Sequence, residues 1–191
     1  MPKNEFIGKN SLDNIKFLLE EYKVIKVLIF AGKISFYNSG ANELLKKFSK
    51  NITYKIFYKT KKYPDLSELY LANQKINDFK PDIILAIGGG SVLDLAKIAN
   101  TLCFIDNIKS KILSTKLNIK KKFCKLVAVP TTAGSGAEVT SSAVLYIDKT
   151  KYSIEDKLIK PDYAIIDPYL IVTTPKEISA SSGIDAFSQA L

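Results

Sequence analysis

The chain has 191 residues, of which 47% are hydrophobic and 25% are charged, so it can bury a core of its own. No apolar run approaches the ~20 residues that a membrane-spanning helix needs. The N-terminus also lacks the apolar stretch of a secretion signal. We therefore expect a cytoplasmic globular protein with no membrane partner, built as one domain or as one domain with a short extension.

The formal net charge of +9 comes from 28 lysines, because arginine and histidine are absent. The lysines are scattered, and base recognition relies largely on arginine, so we expect no nucleic-acid partner. The run Lys120, Lys121 and Lys122 is typical of a solvated loop. Cys103 and Cys124 lie in apolar segments without C-x-x-C spacing, which predicts two buried free thiols.

Helices and strands are predicted to alternate through the first half of the chain. The pattern of apolar residues predicts a helix at 11–22, a strand at 24–30, a helix at 38–50, a strand at 52–58, a helix at 66–79 and a strand at 82–87. This alternation predicts a Rossmann-like α/β fold, a doubly wound parallel sheet with helices on both faces. Ligands of such sheets bind at the carboxyl ends of the strands.

The pattern changes after residue 125. A short strand at 126–130 ends at Pro130, a loop of small residues follows, and the β-rich stretch 139–148 predicts a hairpin. A further strand is predicted at 163–167. Pro175 then stands at the first position of a last helix, where its fixed φ is favourable.

A glycine turn follows the strand at 82–87. Gly88, Gly89 and Gly90 precede Ser91 and a helix that carries Asp94. Glycines let a phosphate approach the backbone, and the start of a helix presents free N–H groups to an anion. The turn therefore suits a pyrophosphate, although glycine turns also end many strands for structural reasons alone.

A second motif, VPTTAGSGAEVT, occupies residues 129–140. Together with GGGSVLDLAK it resembles the signature of the iron-containing (group III) alcohol dehydrogenases, and the resemblance to their N-terminal half covers about residues 5–191. It implies that the nicotinamide cofactor is bound by Gly88, Gly89, Gly90, Ser91, Asp94, Thr131, Thr132 and Ser135. Hydroxyl groups on such a loop can bond phosphate, ribose or carboxamide. The structural alternative is a Ser/Thr-rich turn that caps the strand.

The last segment, with PDYAIIDPYL and SGIDAFSQAL, resembles the stretch that joins the two domains of this family. By resemblance Asp185 is the first metal ligand, and Gln189 stands where the family has the second ligand, a histidine. The glutamine indicates either an altered metal site or a member that needs no metal. The family's remaining ligands are histidines further downstream.

The resemblance thus divides the chain into a nucleotide-binding domain at 1–178 and, at 179–191, the first helix of a helical metal and substrate domain that is missing. A divalent metal, Fe or Zn, is expected in the full-length protein only. Gly32 stands where NAD-preferring relatives have an aspartate that bonds the ribose 2′-hydroxyl. The absence of a carboxylate there, next to Lys33 and Ser35, favours NADP over NAD.

Lys151 aligns with a family lysine that reaches the cofactor and the active site, so it is the candidate catalytic residue; the alternative is an exposed lysine of the β-ribbon. The last 40 or so residues also look similar to phosphonoacetaldehyde reductases of this superfamily. An anionic phosphonate would suit a lysine-rich cleft.

The resemblance implies an NAD(P)-dependent, metal-assisted alcohol dehydrogenase or aldehyde reductase that acts on a small aldehyde or alcohol. It is compatible with a homodimer of the full-length protein. We expect the 191 residues alone to bind nucleotide weakly and to be inactive, and exposure of Phe187 and Leu191 to reduce their stability. Three alternatives stay open: a dehydroquinate-synthase-like NAD-dependent lyase, a non-catalytic nucleotide-binding remnant, and a nucleic-acid-binding protein.

Overall fold

The structure is a computed structural model that describes residues 4–48 and 50–191, without the side chain of Gln189. Its strands are β1 Glu5–Ile7, β2 Lys26–Gly32, β3 Thr53–Lys59, β4 Ile83–Gly88, β5 Lys125–Pro130, β6 Ser142–Ile147, β7 Thr150–Glu155 and β8 Tyr163–Ile166. Its α-helices are α1 Asn14–Glu21, α2 Lys33–Asn38, α3 Leu66–Phe79, α4 Gly90–Leu102, α5 Ile108–Leu113 and α6 Lys176–Ala190.

Six strands form one parallel sheet in the order β1-β8-β5-β4-β2-β3. The chain runs from β2 outward to β3 and then crosses back over β2 to β4, so the winding direction reverses between β2 and β4. A crevice opens at the carboxyl ends of the strands where such a reversal occurs. In this sheet it lies beside Gly32, the last residue of β2, and Gly88, the last residue of β4.

The sheet is buried on both faces, which explains its continuous apolar strands. In β2 the side chains of Leu28 and Phe30 join a core with α3 and α4, whereas Val27 and Ile29 face a second core that includes α1 and α2. The predicted doubly wound α/β fold is therefore confirmed.

The hairpin β6–β7 lies outside this sheet and packs on α4. Ala143, Leu145 and Ile147 are buried at every second position of β6, as expected for a strand with one buried face. Asp148 and Lys149 form the two-residue turn, with φ of 49° and 68°. The predicted hairpin is present, and it extends to Glu155, beyond the predicted stretch 139–148.

Helix α3 has the predicted bounds, and the predicted strands are shifted by at most a few residues. The predicted helix at 38–50 is wrong. Helix α2 ends at Asn38, and Gly40, with φ of 77°, separates it from a 3-10 helix at Ala41–Lys47. Apolar spacing alone does not distinguish a long helix from two short ones broken by a left-handed glycine. Strand β1 and helix α5 were not predicted.

Both cysteines are free and half-buried. Burial raises the pKa of Cys103 to about 11 and raises the pKa of Cys124 as well. Within the described residues, no helix has the combination of length and apolar character that crossing a membrane requires.

Candidate cofactor site

The glycine turn and the helix behind it have the geometry of an anion site. Strand β4 ends at Gly88, α4 begins at Gly90, and Gly89 between them is the N-cap residue, with no side-chain capping bond. Backbone N–H groups at an uncapped helix start have no intrahelical acceptor, and the helix dipole places partial positive charge there. A phosphate group can therefore bind without the help of a basic side chain.

The surroundings leave little room for a side chain at these positions. A Cβ added to Gly88 would lie 2.7 Å from Cγ2 of Val92. One on Gly89 would lie 3.2 Å from Oγ1 of Thr132, and one on Gly90 would lie 2.8 Å from Oγ of Ser135. The loop after β5 therefore lies directly against the glycine turn, and the two sequence motifs meet at one place.

Thr131, the first residue of that loop, has an unusual hydroxyl group. Its backbone N–H donates to the carbonyl of Gly88 over 3.0 Å, and its carbonyl accepts from Oγ1 of Thr174 over 2.9 Å. Its side chain is only 3% exposed, yet within the described residues its Oγ1 has no hydrogen-bond partner. A buried hydroxyl without a partner is costly, so a new hydrogen bond to this group would stabilise the loop.

A cleft of about 680 Å³ lies beside this loop, within the range of ligand pockets in proteins. Its lining includes Gly32, Lys33, Ser35, Lys59, Thr131 and Thr132. The described lining residues include no carboxylate and two lysines, of which Lys33 is exposed, so the cleft can accept an anion. The structure thus brings Gly32 to the same cleft as the two threonines.

Lys59 is a cleft residue that the sequence did not reveal. It ends β3 directly opposite Gly32 of β2, and its ammonium lies 3.8 Å from Oε2 of the buried Glu68. Burial lowers the pKa of Lys59, while Glu68 and Asp65 oppose that shift. The signal that could have revealed it is its place at the carboxyl end of a predicted strand.

Asp94 faces the hairpin. Its carboxylate accepts a hydrogen bond from the backbone N–H of Val144 in β6 over 3.1 Å and lies 3.8 Å from Nζ of Lys97. Burial raises its pKa, and the charge of Lys97 opposes this. The structure therefore shows Asp94 anchoring β6 on α4, while its predicted contact with the cofactor stays a prediction.

Lys97 ends the GGGSVLDLAK motif, but the sequence assigned it no role. It is 1% exposed, and its Nζ donates to the carbonyls of Ala137 at 2.9 Å and Ser142 at 2.5 Å and to Oγ1 of Thr140 at 3.0 Å. Burial lowers its pKa to about 8, opposed by Asp94 and by Glu138. One ammonium thus ties α4 to the end of the loop that covers the glycine turn.

The remaining predicted site residues lie outside the cleft. Lys151 is exposed on β7, opposite Tyr146, and is close enough to Asp94 to lower that carboxyl's pKa. Asp185 is exposed on α6, one helical turn from Ser182, whose carbonyl oxygen would lie 2.3 Å from a Cβ on Gly134. The side chain of Gln189 lies outside the described residues. Across 4–48 and 50–191, no three His, Cys, Asp or Glu side chains gather as a metal site.

Comparison with known proteins identifies the group to which this fold and these motifs belong. Residues 2–168 match the family model of the iron-containing alcohol dehydrogenases. The chain belongs to this family. The resemblance of the two motifs and the assignment to an enzyme family are therefore confirmed.

Members of the family with known names resemble the whole chain. It is 33% identical over 209 residues to a bifunctional aldehyde-alcohol dehydrogenase of Escherichia coli, covering all of this chain and 23% of that protein. It is 30% identical over 201 residues to an NADPH-dependent butanol dehydrogenase of Clostridium saccharobutylicum, covering all of this chain and 50% of that protein.

A solved structure of the family has the same fold. The sulfoacetaldehyde reductase of Bifidobacterium kashiwanohense, in complex with NAD+, superposes with a TM-score of 0.89 at 30% identity, covering 99% of this chain and 50% of that one. The chain therefore spans half, or less, of the length of these three relatives.

Proposed function

We propose that this chain binds the nicotinamide cofactor of an alcohol dehydrogenase or aldehyde reductase. The observation that carries the proposal is the meeting of the uncapped start of α4 with the threonine loop, beside a carboxylate-free cleft that Thr131 and Thr132 help to line. Family membership supports it, since each of the three relatives bears the name of a dehydrogenase or reductase.

The chain's own residues have distinct parts in this proposal. The N–H groups of Gly90 and Ser91 bind the pyrophosphate, and the hydroxyls of Thr131, Thr132 and Ser135 bind the ribose or carboxamide at the nicotinamide end. Hydride transfer is the chemistry that a bound nicotinamide supplies.

We propose NADP as the preferred cofactor. Gly32 brings no carboxylate to repel a 2′-phosphate, and the exposed Lys33 lies in the same cleft. Printed names in the family include both an NADPH-dependent enzyme and an NAD+ complex, so the family alone does not decide the preference.

A metal does not fit the described residues. A transition metal wants three or four well-placed ligands, whereas Asp185 contributes one carboxylate and no metal-ligating cluster occurs in the described part of the chain. No catalytic step of this chain is therefore assigned to a metal. The metal-assisted reaction, the Fe or Zn ion and the homodimer stay predictions for a longer protein.

The proposed substrate is a small aldehyde or alcohol, and phosphonoacetaldehyde is the anionic aldehyde to test beside a neutral one. The relative solved with NAD+ is named for sulfoacetaldehyde, another small anionic aldehyde. Lys151 is the residue of this chain that we propose as the active-site cation. The test is its substitution in a protein that contains both domains of the family, where unchanged turnover would rule out this role.

Titration of NADPH, and separately of NADH, into the purified chain tests the proposal, with nicotinamide fluorescence and thermal shift as readouts. We expect saturable binding that favours NADPH. Gly89→Val should weaken it at least about tenfold, because a side chain there meets Thr132. Gly183→Val is the matched control, since a Cβ on Gly183 meets nothing within 4 Å. Absence of binding by either nucleotide, or equal loss in both variants, would contradict the proposal.

A further inference from the structure

A second concave pocket lies at the opposite end of the sheet from the cofactor cleft. It has a volume of about 320 Å³ and is built between the end of α4 and the start of β5. The 13 residues of α4 separate it from the glycine turn. That is a distance of roughly 20 Å at the rise of an α-helix. The pocket is therefore independent of the cofactor site and of its proposed function.

Lysines dominate the lining of this pocket. Four of its nine lining residues are Lys111, Lys116, Lys120 and Lys121, and its one carboxylate belongs to Asp106. The local charge is therefore +3, four ammonium groups against one carboxylate. Two of the four come from the lysine run that the sequence alone indicated to be a solvated loop.

These four lysines differ from their neighbours in lacking carboxylate partners. Lys122, the last member of the run, lies 3.0 Å from Oδ2 of Asp162, and Lys109 of α5 lies 2.7 Å from Oδ2 of Asp148. Within the described residues, no ion pair joins any of the four pocket lysines to a carboxylate. Their charges are left to attract an external anion.

The backbone holds the lysines in place. Thr115, with φ of 55°, ends α5 in the left-handed conformation, and the N–H of Lys116 donates to the carbonyl of Lys111 over 2.9 Å. This bond closes the helix end as in a Schellman motif, which fixes the two lysines beside each other. Lys121 lies 4.2 Å from the centroid of the Phe104 ring, which in turn stacks on Phe123.

We infer that this pocket binds a compact polyanion of the di- or triphosphate class. Four lysines that line one concavity exceed what a single phosphate needs, and a concave surface concentrates the field of their charges. Ammonium groups bind phosphate oxygens as point charges and do not require planar geometry. A cavity near the lower limit of ligand-pocket volumes fits a short phosphate chain, whereas nucleic-acid recognition needs an extended basic stripe.

Calorimetric titration of the full chain with tripolyphosphate, ATP and orthophosphate tests this inference. We expect tripolyphosphate to bind, orthophosphate to bind at least about tenfold more weakly, and affinity to fall between about 50 and about 200 mM salt, because screening weakens exposed charge pairs. Tighter binding of ATP than of tripolyphosphate that persists in the Gly89→Val variant would identify a nucleotide as the source of the phosphate chain, and the reverse order would identify an inorganic polyphosphate.

Two double variants with equal net charge separate this pocket from general basicity. Lys116→Gln/Lys120→Gln should weaken tripolyphosphate binding at least about tenfold, as expected for the loss of charge-assisted bonds. The control Lys50→Gln/Lys157→Gln alters two exposed lysines that do not line the pocket, and it should leave tripolyphosphate binding unchanged. The Gly89→Val variant should also retain it, which distinguishes this site from the cofactor cleft. Equal losses in both double variants, no binding at millimolar concentration, or equal affinity for orthophosphate would overturn the inference.

Discussion

The two ends of α4 offer different chemical groups to negatively charged ligands. At its start, Gly88 to Ser91 offer backbone N–H groups and a helix dipole with almost no side chains. At its other end, Lys111, Lys116, Lys120 and Lys121 surround a pocket with long charged side chains. The first arrangement depends on local sequence, so it appears as a motif. The second uses lysines that are spread over residues 111–121 at no fixed spacing, so no short motif reveals it.

The largest expected effect comes from Lys97, which lies between the two ends. Lys97→Met removes three hydrogen bonds to the loop and β6 and leaves the half-buried Asp94 carboxylate without its nearest cation. Removing one member of a fully buried pair costs roughly 3–5 kcal/mol, and we expect about 3 kcal/mol here because Asp94 keeps some exposure. Urea unfolding of the wild-type chain and of the variant measures this loss of stability. Lys16→Met, which alters an exposed pair with Glu20, should change stability by less than about 1 kcal/mol.

The next effect concerns the loop that covers the glycine turn. Gly134 has φ of 118°, and a Cβ there would lie 2.3 Å from the carbonyl oxygen of Ser182 in α6. We expect Gly134→Ala to cost about 1–3 kcal/mol in backbone strain and to weaken NADPH binding. Gly136→Ala is the matched control, because Gly136 has φ of 61° and an added Cβ meets only Thr140, at 4.0 Å. If both variants lost the same stability and the same affinity for NADPH, the contact between this loop and α6 would not contribute to either property.

The pH dependence of stability gives a third test of the Lys97 anchor. Burial lowers its pKa to about 8 in the folded state, from 10.5 when unfolded. Between these values the unfolded chain binds more protons, so the contribution of Lys97 to stability rises with pH, by up to ~1.4 kcal/mol per pH unit.

Unfolding of the wild-type chain and of Lys97→Met at pH values near 7.5 and 9.5 measures this contribution. The free energy of unfolding of the wild-type chain should exceed that of the variant by a larger amount at pH 9.5 than at pH 7.5. A constant or shrinking difference would contradict the burial of a charged ammonium at this position.

The smallest expected effect concerns the hairpin that Asp94 and Lys97 hold. Lys149 has φ of 68° in the two-residue turn, a conformation that glycine adopts without penalty. Lys149→Gly should therefore stabilise the chain by about 1 kcal/mol in thermal or urea unfolding. Thr150→Gly, inside β7, should destabilise it instead, since glycine weakens strands.

Much of the fold was predictable because its signals are local. The apolar runs of β2 and β4 and the helical spacing of α3 each report burial within a single element. The alternation of elements then predicts a parallel sheet. The break at Gly40 was missed because its effect depends on a left-handed φ that the spacing of apolar residues does not show.

The candidate site was predictable only in part. Gly88 to Ser91 and Thr131 to Ser135 were recognised as motifs, and the structure places these motifs side by side. Lys59 belongs to no motif, and Lys97 ends the GGGSVLDLAK motif without a role that the motif explains. Their importance arises from burial beside Glu68 and Asp94, and burial of a lysine is not visible in composition or periodicity.

The sequence by itself determined the parallel α/β architecture, the family and the small residues of the glycine turn and threonine loop, because these depend on local spacing and on side-chain size. The tertiary structure alone decided which charges are paired. It turned Asp94 toward β6, buried Lys97 under the loop, paired Lys122 with Asp162 and left the other lysines of its run around a pocket. Pairing depends on distances between segments far apart in the chain, and only folding sets those distances.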